Sequence, residues 1–153
     1  MPYRVCKAFE VESGHMLSKH PDRCRYPHGH SRRIEIVLAA DTLDAHDMVC
    51  DFKAIKLAVA GHLDRLDHAM ALNAADPALD AIRAVSERVV TFDADPTTEI
   101  LARDVYEFLE ARLAAREPMT DHAGNTYRFP PGVRVERVRV GETSTSWAEF
   151  SRA

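Results

Sequence analysis

Two histidines separated by a single glycine are the clearest chemical signal in the sequence. They close the segment Cys24-Arg25-Tyr26-Pro27-His28-Gly29-His30. Residues i and i+2 point to the same side of a β-strand, so the imidazoles of His28 and His30 project together if a strand begins here. Imidazole nitrogens at this spacing suit a zinc ion, and Gly29 leaves room for the ion between them. The alternative is a pair of solvated histidines in a turn.

A third ligand is available at the end of a neighbouring strand. His15 ends the first predicted strand, and it approaches His28 and His30 if the first two strands pair as a hairpin. Three protein ligands leave one coordination position open, which is typical of catalytic zinc. Cys24 as a fourth ligand would instead close the site and make it structural, and the sequence leaves both interpretations open.

Two further segments carry acidic groups that could do chemistry. Asp67 and His68 are adjacent, and adjacent residues on a helix point about 100° apart, so they face each other only if the backbone turns there. Their alternative role is to end a helix, where a histidine is electrostatically favoured. Glu142 follows an alternating strand, and its carboxylate could accept two parallel N–H bonds from the edge of a pterin or guanine ring. The alternative for Glu142 is a solvated side chain in a turn.

The composition narrows the class of protein. With 153 residues, 46% of them hydrophobic and 29% charged, the chain can bury the core of a single domain over residues 1–153. The net charge of −4 argues against nucleic acid or a membrane surface as partner. The N-terminus lacks the form of a signal peptide, so we expect a cytoplasmic protein. The three cysteines form no Cys-x-x-Cys pair, which argues against a disulfide framework.

Hydrophobic spacing predicts the elements that position these residues. We predict strands over 3–13, 30–40, 133–140 and 147–150. A first helix is predicted from an Asp51 cap to about Leu63, and its inward-facing residues are Phe52, Ile55, Val59 and Leu63. A second helix is predicted from an Asp95 cap to about Leu113. Residues 64–95 are less regular, with a short helix after Pro77 and an extended stretch at 89–92. A change of parity between Val135 and Val138 indicates a bulge near Glu136–Arg137. The order ββααββ predicts an α+β fold, a four-stranded antiparallel sheet with two helices on one face.

Taken together, the motifs resemble the 6-pyruvoyltetrahydropterin synthase family, which includes 6-carboxytetrahydropterin synthase of the queuosine pathway. The resemblance covers nearly the whole chain and follows the family's order of motifs. The motifs are Phe9 to His15, Cys24-x-x-x-His28-Gly29-His30, Met48-Val49-Cys50-Asp51-Phe52 with Lys56, Leu66-Asp67-His68 with Leu72-Asn73, Pro96-Thr97-Thr98-Glu99, and Glu142-Thr143 ahead of Ala148-Glu149-Phe150.

The resemblance implies a role for each candidate residue and a fold. It implies that His15, His28 and His30 bind zinc and that Cys24 is the general base. It implies that Asp67 and His68 of a neighbouring subunit are the proton-relay partners of this base. It also implies that Glu142 anchors the pterin and that Thr97 and Thr98 line the pterin pocket. The implied fold is the tunnelling fold (T-fold), in which three subunits close a twelve-stranded barrel and two trimers stack into a homohexamer. Such closure would cover exposed sheet edges.

The spacing of the cysteine motif resembles one branch of the family. Three residues separate Cys24 from His28, as in the carboxy-forming branch, whereas the pyruvoyl-forming branch usually has a longer gap. This implies a zinc-dependent lyase that converts 7,8-dihydroneopterin triphosphate to 6-carboxy-5,6,7,8-tetrahydropterin, acetaldehyde and triphosphate. The alternatives are a 6-pyruvoyltetrahydropterin synthase or another pterin side-chain lyase, and a non-enzymatic paralogue that binds zinc and pterin without turnover.

One position departs from the family pattern inside the strongest motif. The family commonly has a small residue and then an aromatic residue after the second histidine, whereas this chain has Ser31 and Arg32. Arg32 shares strand parity with His30 and Ile34, so it points to the same face as the proposed ligand. It could reach a substrate phosphate or pair with an acid.

Overall fold

A six-stranded sheet organises the protein, which we describe over residues 1–152 from a computed structural model. The strands are β1 (Tyr3–His15), β2 (His28–Ala40), β3 (Met70–Asn73), β4 (Val89–Phe92), β5 (Met119–Thr120), β6 (Thr126–Tyr127), β7 (Arg134–Thr143) and β8 (Ser146–Phe150). The helices are α1 (Phe52–Asp64), α2 (Leu79–Val85) and α3 (Thr98–Ala115). The strand order in the large sheet is β4-β3-β1-β2-β7-β8, and β5 and β6 form a separate hairpin.

The prediction of a four-stranded, wholly antiparallel sheet is wrong. β1, β2, β7 and β8 pair antiparallel, but β3 pairs parallel to both β1 and β4, so the sheet is mixed. Four strands and one helix also interrupt the predicted ββααββ order, since β3, α2 and β4 lie between α1 and α3, and β5 and β6 lie between α3 and β7. β3 and β4 have four residues each and β5 and β6 have two, so alternation alone cannot distinguish them from loops. The extended stretch at 89–92 and a short helix after Pro77 are confirmed as β4 and α2.

The register of β1 against β2 fixes where the site forms. His15 lies opposite His28, Ser13 opposite His30 and Val11 opposite Arg32. Directly opposed residues share a face of an antiparallel pair, so these side chains continue the row that supplies the core. Further along β2 the same row holds Ile34, Ile36 and Leu38, each at most 1% exposed. The candidate site is therefore the polar end of the hydrophobic core.

A bulge in β7 keeps the core row continuous past the site. Val37 pairs with Arg137 and Leu38 with Val135, so Glu136 is an extra residue between the two pairs. This confirms the bulge predicted from the change of parity. Because of it, both Val135 and Val138 are buried.

The helix starts show one confirmed cap and one wrong cap. The Asp51 carboxylate accepts the Lys53 amide at 2.8 Å and caps α1 as predicted. The predicted cap of α3 is wrong, since Thr97 occupies that position and its hydroxyl accepts the Ile100 amide.

The buried stripe of α1 is narrower than predicted. Ile55, Val59 and Leu63 are buried against the sheet, as expected, but Phe52 is 50% exposed. Phe52 is the first residue of α1.

Within residues 1–152 no helix combines the length and the apolar character that crossing a bilayer requires.

Candidate metal centre and active site

Three imidazoles from two strand ends converge at one point. The available ligand atoms of His15, His28 and His30 all lie within 4.8 Å of one another. The Nε2 atoms of His15 and His30 are 3.2 Å apart. Two nitrogens bound tetrahedrally to zinc at about 2.0–2.1 Å lie about 3.3 Å apart, so this separation fits a shared ion. The triad could therefore hold a metal ion.

Backbone carbonyls orient two of these rings. The Nδ1 of His15 lies 2.8 Å from the Pro96 carbonyl oxygen, and the Nδ1 of His28 lies 2.7 Å from that of Tyr26. A carbonyl only accepts, so each Nδ1 carries the proton and each Nε2 keeps its lone pair. Metal-binding histidines are commonly fixed in this way by a second hydrogen bond. The observed contacts therefore select the tautomer that a metal ion requires.

Burial favours the neutral form of two of these imidazoles, His15 and His30. Burial and the nearby Arg32 guanidinium together lower the pKa of His15 to about 4, against the opposing effect of the Pro96 carbonyl. Burial also lowers the pKa of His30, and Arg32 acts in the same direction. Neutral imidazole is the ligating form, so the two rings are available to a metal at neutral pH.

Glycine at position 29 has a different role from the one predicted. His28 and His30 point to the core face, and alternation places position 29 on the opposite face of β2. A Cβ at Gly29 would lie 3.2 Å from the Ser13 carbonyl oxygen. Glycine at position 29 thus favours the close approach of β2 to β1 and does not serve to leave space between the imidazoles.

A charged and polar layer lies directly beneath the triad. The Arg32 guanidinium is 1% exposed and donates to the Thr98 hydroxyl at 3.1 Å and to the Gly141 carbonyl at 3.2 Å. Thr98 in turn donates to Glu142 Oε1 at 3.0 Å. That carboxylate oxygen lies 3.9 Å from His15 Nε2 and 3.8 Å from His30 Nε2. Burial lowers the pKa of Arg32 to about 10, so the group remains a cation at neutral pH.

Cys24 lies on the segment that connects the two ligand-bearing strands. It occupies a short 3-10 turn, Arg23–Arg25, and is partly exposed. The Leu17 amide donates to the Cys24 carbonyl at 3.0 Å and folds the segment back on itself. Among the described residues, the metal-ligand group contains the three histidines and does not include this sulfur.

Asp95 anchors that connecting segment. Its buried carboxylate accepts the Ser18 hydroxyl at 2.6 Å, the Lys19 amide at 2.8 Å and the Asn73 amide group at 3.0 Å. Burial acts to raise the pKa of Asp95, but the hydrogen bonds outweigh it and lower the pKa below its usual value. Asp95 therefore supports the segment that carries Cys24, a role that its position before Pro96 did not indicate.

Asp67 and His68 form a hydrogen-bonded pair because the backbone turns between them. His68 adopts a positive φ of 54°, and its Nδ1 lies 2.9 Å from Asp67 Oδ2. The pair is tied to the edge of β1, where the Glu12 amide donates to Asp67 Oδ1 and the His68 amide donates to the Glu12 carbonyl. His68 is exposed and shares a surface groove of ≈ 500 Å³ with His30. No hydrogen bond in residues 1–152 joins the pair to the triad.

The two threonines predicted to line a pocket have separate positions. Thr98 belongs to the polar layer under the triad. Thr97 caps α3 and faces a groove that it shares with Leu17, Lys19 and Ile100. Sequence reasoning missed the Arg32 contacts with Thr98 and Gly141, although strand parity placed Arg32 on the correct face.

Comparison with known sequences gives consistent matches. The family model described as 6-pyruvoyl tetrahydropterin synthase matches residues 4–153. A protein from Aquifex aeolicus named 6-carboxy-5,6,7,8-tetrahydropterin synthase is 30% identical over 98% of this chain and 98% of its own length. A protein of the same name from Rickettsia bellii is 32% identical over 65% of this chain and 74% of its own.

Comparison with solved structures shows the same fold. An uncharacterized protein from Wolinella succinogenes superposes with a TM-score of 0.77 at 21% identity, covering 100% of this chain and 99% of that one. The Caenorhabditis elegans 6-pyruvoyl tetrahydropterin synthase superposes with a TM-score of 0.66 at 18% identity, covering 100% and 97%. The T-fold implied by the motifs is thereby confirmed.

The Asp95 contacts lead to a prediction about the segment that carries Cys24. We expect Asp95→Ala to accelerate hydrogen exchange at the Lys19 amide about tenfold or more, because the charge-assisted bond that protects this amide is lost. The control is Asp93→Ala, which removes an exposed carboxylate from the same stretch of chain. Exchange should be read by mass spectrometry or NMR. Equal protection of Lys19 in both variants would contradict the anchoring role.

Proposed function

The chain belongs to the 6-pyruvoyl tetrahydropterin synthase family, and from this premise we propose that it is a zinc-dependent 6-carboxy-5,6,7,8-tetrahydropterin synthase. The proposed reaction converts 7,8-dihydroneopterin triphosphate to 6-carboxytetrahydropterin, acetaldehyde and triphosphate. The observation that carries the proposal is the convergence of His15, His28 and His30 at the two ends of the segment that bears the free Cys24. The Aquifex relative, aligned over nearly both full lengths, supports the carboxy-forming branch.

His15 and His28 would hold the zinc ion through Nε2, the ring nitrogen that carries no proton. His30 would bind the same ion through one of its ring nitrogens. When bound, the ion supplies Lewis-acid polarisation of the hydroxyls on the substrate side chain. Three ligands leave a coordination position for these hydroxyls. The fixed tautomers of His15 and His28 mean that no proton must leave either Nε2 before binding.

Glu142 would bind the pterin ring. Its side chain is 37% exposed, so it can reach a ligand, while Thr98 holds one carboxylate oxygen from below. A pterin presents two adjacent N–H donors, and a carboxylate accepts such a pair in parallel. Binding the ring at Glu142 places the substrate side chain near the triad, since the carboxylate lies within 4 Å of two imidazoles.

Cys24 would act as the base that removes a carbinol proton from the side chain. The thiolate is the reactive form of cysteine, and a partly exposed sulfur outside the ligand group can accept a proton from substrate. The hydrogen-bonded Asp67–His68 pair is the proposed relay for that proton. In such a pair the carboxylate orients the imidazole and stabilises its protonated form.

We further propose that the protein is a homo-oligomer, a hexamer of two trimers, in which the relay comes from a neighbouring subunit. β8 ends the sheet, and the stretch 3–11 of β1 has β2 on one side and no strand of residues 1–152 on the other. Unpaired strand edges are usually covered. The relay pair is tied to this same edge of β1 through Glu12, which supports its contribution across a subunit boundary.

Product analysis on zinc-loaded protein tests the proposed reaction. With 7,8-dihydroneopterin triphosphate we expect acetaldehyde and 6-carboxytetrahydropterin by mass spectrometry. Cys24→Ala should keep its zinc and lose about a hundredfold or more of the turnover, because only the base is removed. A pyruvoyl product would favour the other branch, and tight pterin binding without turnover would favour a non-enzymatic role. Loss of zinc from Cys24→Ala would identify the sulfur as a ligand.

Mixed oligomers test the shared site. We expect Cys24→Ala and His68→Ala to be inactive alone, and a co-expressed equal mixture to recover about a quarter of the normal activity, since random pairing makes that fraction of sites intact. The control mixes Cys24→Ala with His28→Ala, whose two defects lie in one chain's site and should give no recovery. If the first mixture shows no more activity than the control, the relay acts within its own chain.

A further inference from the structure

A buried arginine is the least expected part of the site. Arg32 is 1% exposed and lies in the core-facing row of β2, opposite Val11 and two residues from His30. Removing a charged group from water is costly unless it is well paired. Within residues 1–152 the acid that offsets its charge is Glu142, which the Arg32 side chain reaches through one intervening hydroxyl. An arginine held at such cost needs a specific explanation.

The hydrogen bonds of Arg32 have a fixed direction. A guanidinium can only donate, so the Thr98 hydroxyl accepts from Nη1 and must send its own proton elsewhere. The acceptor of that proton is Glu142 Oε1 at 3.0 Å. The hydrogen bonds therefore run in one direction, from Arg32 through Thr98 to Glu142. The second carboxylate oxygen of Glu142, Oε2, takes no part in them.

Arg32 also holds the backbone next to the carboxylate. The same Nη1 atom donates to the carbonyl of Gly141, the residue that precedes Glu142. The guanidinium is thus bonded to the backbone on one side of Glu142 and, through Thr98, to its side chain. A flexible glutamate at the end of a strand is thereby restrained at two points.

We propose that Arg32 is a positioning residue that sets the orientation of Glu142 for binding the pterin ring. This inference rests on the proposed function, in which Glu142 is the ring anchor. Arg32 departs from the family pattern, and this inference gives it a role in substrate binding that is exerted through Thr98. Because the Arg32 side chain is buried, it does not contact the substrate phosphate directly. Nη2 lies 3.3–3.4 Å from the His15 ring nitrogens, so the main rival is an effect through the metal ligand.

A double-mutant cycle on ring affinity separates these effects. The probe is unsubstituted pterin, which has the ring and lacks the side chain and phosphates, titrated by fluorescence into zinc-loaded protein. We expect Arg32→Met, Thr98→Val and Glu142→Gln each to weaken binding about tenfold, the effect of losing a hydrogen bond to a charged group. In the Glu142→Gln background, Arg32→Met should weaken binding less than about twofold, because its effect passes through the carboxylate.

Two controls keep the test decisive. Arg33→Met removes the neighbouring arginine, which points to the opposite face and pairs with Glu35, and it should leave ring affinity unchanged. Thr98→Val removes the link while keeping the buried charge, so the Thr98–Glu142 cycle stands even if Arg32→Met does not fold. The zinc content of each variant is measured in parallel.

Three results would overturn the inference. Equal weakening by Arg32→Met with and without Glu142→Gln would show that Arg32 acts independently of the carboxylate. Loss of zinc from Arg32→Met would show that it acts through His15. If Glu142→Gln itself leaves pterin affinity unchanged, the ring-anchor role of Glu142 in the proposed function fails as well, which distinguishes that failure from the first two.

Discussion

The antiparallel register of β1 against β2 is the constraint on which the site depends. It places His15 opposite His28 and brings His30 to the same face two residue pairs further along the ladder. A shift of this register by one residue would turn the β1 side chains to the opposite face of the sheet and separate His15 from the other two. The buried β1 residues Val11, Ser13 and His15 favour this register, since slippage would turn them away from the core face. The same strand pairing therefore determines both the packing of the core and the arrangement of the three histidines.

The site is assembled from a rigid sheet and from segments held by specific polar contacts. The triad and Arg32 stand on strands, while the start of α3 supplies the Pro96 carbonyl and the Thr98 hydroxyl. Asp95, just before α3, holds the segment that bears the cysteine. Residues 95–98 therefore support the His15 imidazole, the Glu142 carboxylate and the segment that bears Cys24. We infer that the motif around Pro96 serves the whole site and not only a pocket wall.

The parts of the fold that the sequence predicted are those with long, regular patterns. The alternation in β1 and β2 and the parity change at the β7 bulge could be recognised because each spans many residues of one buried face. The short strand β3 could not, and neither could the parallel pairing of β3 with β1 and β4, since that pairing depends on the tertiary structure. The α3 cap was misplaced because Asp95 and Thr97 are both good caps, and the Asp95 carboxylate is engaged by Ser18 and Lys19.

For the site, spacing predicted the histidines but not their supports. His28 and His30 are two apart, so a local rule applies to them. Arg32 contacts Thr98 and Gly141, which are 66 and 109 residues away in the chain, and nothing local marks those partners. The Asp67–His68 pair likewise depends on a positive φ at His68 that the residue type does not require.

In the proposed site, the imidazoles of His15, His28 and His30 would bind one divalent ion while the sulfur of Cys24 stays off it. X-ray absorption at the zinc edge of the loaded protein tests this most directly. We expect a shell of nitrogen and oxygen neighbours at about 2.0–2.1 Å with the multiple-scattering signature of three imidazoles. A sulfur neighbour at about 2.3 Å would contradict it, because Cys24 would then be a permanent ligand and could not serve as the base.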